Sequence, residues 1–76
     1  MSRPTGAVQI ASNMYTYPVK DGVVLYSYEE RVAYRTEQGE FFVVDQFYSS
    51  TTTKHINRWR KQKPFTLVSQ EYLDSL

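Results

Sequence analysis

Arg31-Val32-Ala33-Tyr34-Arg35-Thr36, then Glu37-Gln38-Gly39-Glu40, then Phe41-Phe42-Val43-Val44: residues 31–44 read as two strands and the loop between them. In the first segment Val32 and Tyr34 fall on one side and the arginines on the other, the two-residue period of a strand. Gly39 supplies a left-handed position in a polar loop. Phe41 to Val44 is rich in β-favouring residues and too short for a helix. An antiparallel hairpin over 31–45 is therefore predicted, and the rest of the chain is read outward from it.

Upstream, Tyr15, Tyr17 and Val19 alternate, and the chain then meets Asp21-Gly22, a dipeptide suited to the positive φ angles of a tight hairpin turn. Strands are predicted over 14–19 and 23–28. Pro18 has no N–H to give to a ladder, which places 14–19 at a sheet edge. Glu29 and Glu30 tolerate positive φ poorly, so a bend or bulge is expected there in place of a two-residue turn. Residues 1–13 contain Arg3, Pro4 and Gly6 and lack the apolar core of a secretory leader. They read as a flexible N-terminal arm before a single domain over 14–76.

Downstream, Ser49-Ser50-Thr51-Thr52-Thr53 ends the extended region with hydroxyls able to cap a helix. A helix is predicted over 52–62. At about 100° per residue it carries Thr52, Ile56, Trp59 and Lys63 on one side and Lys54, Arg58 and Lys61 on the other, so that Ile56 and Trp59 dock on the sheet. Pro64 stops it, Phe65 to Val68 forms a last strand, and Ser69 caps a final turn with Glu71 near its positive end. Tyr72, Leu73 and Leu76 pack that turn down. The expected fold is α+β: a small antiparallel sheet of three to four strands covered by one amphipathic basic helix, with a short C-terminal helical turn.

A chain of 76 residues and 9.0 kDa fits one domain. It has no cysteine and a single histidine, so disulfide scaffolds, thiol catalysis and ordinary zinc sets are excluded. No apolar run suits a membrane span, and no nucleophile with its base, carboxylate pair or metal set is evident; the reading is non-enzymatic and without a cofactor. The net charge of +1 hides a division: residues 46–70 carry five basic residues and no acidic one, +5 against −4 for the remainder. Lys54, Asn57, Arg58 and Lys61 are the candidate contacts to nucleic acid or to an acidic partner protein, the cations meeting phosphate and Asn57 a base edge. A solvated helix face is the competing reading of the same stripe. Ser50, Thr51, Thr52 and His55 form a second candidate, an anion site at the helix N-terminus, against which stands ordinary capping. An edge strand at 14–19 with an aromatic face gives a further reading, a protein-interaction inhibitor that adds this strand to a partner enzyme.

The stretch Val32-Ala33-Tyr34-Arg35, then Gly39, then Phe47-Tyr48-Ser49-Ser50-Thr51-Thr52-Thr53-Lys54-His55-Ile56-Asn57-Arg58-Trp59 resembles a family of short, uncharacterised tailed-phage proteins. The resemblance covers about residues 26–60, and its specific portion is Y-S-x-T-T-x-K-H, matched here by Tyr48, Ser49, Thr51, Thr52, Lys54 and His55. Relatives often carry Thr-Pro before the Val-Ala, where this chain has Glu29-Glu30-Arg31. The resemblance implies a viral origin and expression in the cytoplasm of a bacterial host, or a place as a minor virion component, and it implies no activity.

Overall fold

A computed structural model describes residues 4–46 and 49–76. Six strands and two helices follow in the order β1 (Val8–Ala11), β2 (Met14–Val19), β3 (Gly22–Ser27), β4 (Glu30–Thr36), β5 (Phe41–Val44), α1 (Ser50–Arg60), β6 (Phe65–Val68) and α2 (Gln70–Asp74). The strands lie in one sheet in sequence order, antiparallel from β1 to β5 and parallel between β5 and β6. This corrects the expected fold. The sheet is mixed and six-stranded, and helices cover both of its faces.

The parallel pair follows from connectivity. A chain that leaves β5, runs through a helix and returns beside β5 must enter in the same direction, which a tight hairpin cannot achieve. Val8–Ala11 lies within the stretch read as an arm, and it displaces 14–19 from the sheet edge. Pro18 is still accommodated, because β1 reaches only Met14 to Thr16 and leaves Pro18 beyond its end.

Two turns differ from expectation in position. The β2–β3 turn is Lys20-Asp21, with Val19 opposite Gly22. Gly22 therefore begins a strand, and its lack of a side chain matters for another reason: a Cβ there would overlap the Arg35 main-chain oxygen on β4. The β3–β4 turn is Tyr28-Glu29, and the positive φ falls on Tyr28 at 59°. This two-residue turn overturns the bend or bulge expected at Glu29 and Glu30, because Tyr28 takes the positive φ that glutamate tolerates poorly. A separate bulge lies within β4, where Leu25 pairs with Ala33 and Tyr26 with Arg31, leaving Val32 as the extra residue. The 31–45 hairpin stands as read, with Arg35 opposite Phe41 and Gly39 left-handed at φ 90°.

Residues facing one another across the ladders share a face. Leu25, Ala33, Val43 and Ser27 lie under α1, with Ile56 buried against them and Trp59 packed beside. Val24, Tyr26, Tyr34 and Phe42 lie on the other face, where α2 places Leu73 and Tyr72. Tyr34 stacks on Phe42 with centroids 6.0 Å apart, and Phe42 meets Tyr72 at 6.1 Å. Of the tyrosines, Tyr26 and Tyr34 are buried, Tyr15 and Tyr17 pack against the core, and Tyr28 and Tyr72 are exposed. Burial pushes the Tyr34 phenol above its usual range, and the Asp21 carboxylate adds to the effect. Among the described residues no helix is long and apolar enough to cross a membrane.

Candidate functional site

Helix α1 begins earlier and ends earlier than its periodicity suggests. Ser49 is the N-cap, in extended conformation, and its Oγ accepts from the Thr52 N–H at 3.1 Å. Ser50 and Thr51, read as part of an anion site, are exposed residues of the first turn. At the other end Lys61 and Gln62 both take left-handed backbone, with φ of 50° and 65°, and Lys63 N–H bonds the Arg60 carbonyl. The turn is needed because Pro64 bars Lys63 from helical geometry and β6 must start at once. Lys63 consequently leaves the helix face on which periodicity would set it. Ser49→Ala is expected to destabilise the fold by about 0.5–2 kcal/mol and Ser50→Ala to leave it nearly unchanged, as urea denaturation will measure.

Thr52 and His55 point inward, away from any ligand at the helix N-terminus. The Ser27 hydroxyl on β3 lies 3.0 Å from Thr52 Oγ1 and 2.9 Å from His55 Nδ1, and Ser49 Oγ donates to Thr52 Oγ1 at 3.2 Å. Ser27 is 2% exposed, so this Ser–His contact has no room for a substrate carbonyl. The hydrogen-bond chain instead fixes the height and rotation of α1 on the sheet, every buried polar side-chain atom among the described residues being satisfied. Ser49, Thr52 and His55 of the Y-S-x-T-T-x-K-H run are thus a helix-docking set; Phe47 and Tyr48 lie outside the described residues. Ser27 was invisible to sequence reasoning, because it precedes its two partners by 25 and 28 residues.

Lys54, Asn57, Arg58 and Lys61 are all exposed. The structure divides them among separate clefts. Lys54 and Arg58 share one with Thr51 and the outer edge of His55. Asn57 turns toward β6, where its Oδ1 accepts from Arg60 Nε at 3.3 Å. Arg58 and Lys61 line a third with Ile10, Met14 and Trp59.

A fourth cleft, about 350 Å³, gathers Arg35, Gly39, Phe41, Trp59, Arg60, Lys61 and Lys63 at the C-terminal end of α1. Its aromatic floor is an edge-to-face pair, with Phe41 and Trp59 centroids 5.3 Å apart and planes at 83°. Arg60 is held in place by donating to the Lys63 carbonyl at 2.7 Å and by lying 4.5 Å over the Phe65 ring. Arg35 was missed in the sequence because only the Arg35–Phe41 register brings it beneath α1. Among the described residues no three of His, Asp and Glu gather into a cation site.

Comparison with curated proteins gives no match, nor does comparison with solved structures. A family model matches residues 4–75, nearly the whole chain, and the protein therefore belongs to a family of unknown function, DUF8033.

Proposed function

We propose that this domain is a non-enzymatic binding protein that engages a polyanion, nucleic acid first, through the basic end of α1 and the loop that follows it. The carrying observation is the convergence of cations from two distant parts of the chain, Arg35 from β4 and Arg60, Lys61 and Lys63 from the helix exit, around aromatic surface with no carboxylate lining the cleft among the described residues. The helix dipole favours cations at this end and accounts for Arg60, which satisfies a main-chain carbonyl. It does not account for Arg35. The viral origin and host-cytoplasm setting that the tailed-phage resemblance implies belong to the same proposal, with host nucleic acid or a complex that processes it as the target.

Binding to oligonucleotides, followed by fluorescence anisotropy, should weaken steeply between about 50 and 200 mM salt as counterions are released. The variant carrying Arg35→Ala, Lys61→Ala and Lys63→Ala should stay folded, since all three side chains are exposed. It should lower the salt slope by about 2–3. A flat salt response, or unchanged binding by the triple variant, would overturn the proposal.

A second reading rests on β6, which holds the sheet edge that β2 does not. Phe65 and Leu67 are 44% and 61% exposed on a strand without charge at the end of the sheet, a surface suited to strand addition by a partner protein. Capture of a host protein that survives nuclease treatment and is lost with Leu67→Lys would favour it.

A further inference from the structure

We infer that the nucleic acid engaged at this site is single-stranded, an unpaired base entering the cleft of Arg35, Phe41, Trp59 and Lys61 against the indole while its flanking phosphates meet Arg35, Lys61 and Lys63. The inference rests on the polyanion reading above and narrows it. Four features of the cleft carry it.

Size comes first. At about 350 Å³ the cleft lies at the lower end of the ~300–1,000 Å³ typical of small-ligand sites, room for one nucleotide unit and far too narrow for a duplex. A paired base offers only its edge in a groove, and extracting it costs a few kcal/mol of stacking and pairing; an unpaired base offers its whole π face at no such cost.

The second feature is the indole. Trp59 is only partly buried and lines both this cleft and the neighbouring one of Ile10, Met14, Arg58 and Lys61. An aromatic surface between two basic clefts along one helix matches a strand whose bases and phosphates alternate.

Charge is the third. Four cations from two distant parts of the chain share one cleft, an arrangement whose mutual repulsion costs stability until an anion enters. Glu37 and Glu40 belong to the β4–β5 turn, yet neither lines this cleft; Glu40 lines the adjacent groove, which shares Phe41 and Lys63 with the cleft but not Arg35 or Lys61. The last feature is the backbone at Lys61. The chain holds a lysine in the left-handed region, where glycine would be unstrained, and that conformation sets the lysine on the cleft.

The chain's single tryptophan makes the test direct. Trp59 fluorescence is followed while a 15-nucleotide oligothymidylate, a 15-base-pair duplex or poly-glutamate is added at equal salt. The expected result is quenching by the single strand, with affinity about tenfold or more above that for the duplex. Arg35→Ala, at an exposed position outside the 46–70 stripe, should weaken single-strand binding about tenfold, while Lys20→Ala, an exposed cation of the β2–β3 turn, should change it less than about twofold. Duplex binding as tight as the single strand, or unquenched Trp59 in the bound state, would overturn this inference and leave the polyanion reading standing, whereas indifference to Arg35→Ala would overturn both, because Arg35 is part of the convergence on which that reading rests. Poly-glutamate bound as tightly, with the same dependence on Arg35, would overturn it in favour of an acidic protein. Absence of binding to either oligonucleotide at low salt would remove both readings.

Discussion

Leu73→Ala is expected to cost about 2–5 kcal/mol, a large part of the ~5–15 kcal/mol that holds a small domain together. Leu73 is 0% exposed although it sits on a helix of five residues, because α2 lays it directly on the face formed by Tyr26, Val24 and Tyr34. The cavity left by truncation cannot collapse easily, since Phe42 and Tyr72 are already engaged with one another on that face. Urea denaturation should show a lowered midpoint with an unchanged slope. Ile56→Ala, from the opposite face, should produce a loss of similar order. A wild-type midpoint for Leu73→Ala would mean that α2 does not cover the sheet.

Arg31→Met is expected to destabilise by about 2–4 kcal/mol, nearly as much, through polar groups in place of packing. Arg31 Nε donates to the Tyr26 hydroxyl at 2.7 Å, and its Nη1 donates to the main-chain oxygens of Leu73 and Leu76 at 2.9 and 2.8 Å. One guanidinium thus joins the centre of the sheet to the last turn of α2, and Gln70 Nε2 returns a bond to the Arg31 carbonyl at 2.8 Å. Methionine would fill the space and leave these acceptors unmatched. Arg31→Lys should recover little, because an ammonium group cannot span acceptors that a planar fork reaches together. Thermal melts of the three proteins will rank them.

Arg31 also shows where reading from residues runs short. Strict alternation put both arginines of β4 on the face opposite Val32 and Tyr34. The extra residue at Val32 breaks that alternation and turns Arg31 to the Tyr26 side, leaving Arg35 alone on the face of Phe41. A bulge has no reliable signature in a single sequence. β1 was missed for a different reason: Val8 and Ile10 remain exposed, so no pattern of burial marks the strand, and its pairing comes from the ladder β2 offers. Val23 to Tyr26 and Val32 to Tyr34 are continuous apolar runs that suit strands covered on both faces, which the expectation of a single covering helix passed over.

Local chemistry was legible. Gly39 sits left-handed, Ser69 caps α2 by accepting from the Tyr72 N–H, Ile56 is buried and Trp59 packs on Phe41. The exposed positions of Lys54, Asn57, Arg58 and Lys61 were legible too. Their grouping was not, since the cleft depends on strand register and on the left-handed exit at Lys61 and Gln62.

The order in which the elements meet has a consequence for synthesis. Strands β1 to β5 are joined by turns of two to four residues and close as soon as each successor leaves the ribosome. The bonds that clothe this ribbon span far more chain, 25 and 28 residues from Ser27 to α1 and 42 and 45 from Arg31 to the last turn. A nascent chain that has reached Val44 therefore carries Val24, Leu25, Tyr26, Val32 and Ala33 bare on both sides until residues 50–76 arrive. Translational pausing in that interval exposes an adhesive sheet to its neighbours, and the speed with which the C-terminal segment emerges governs how much newly made protein escapes aggregation.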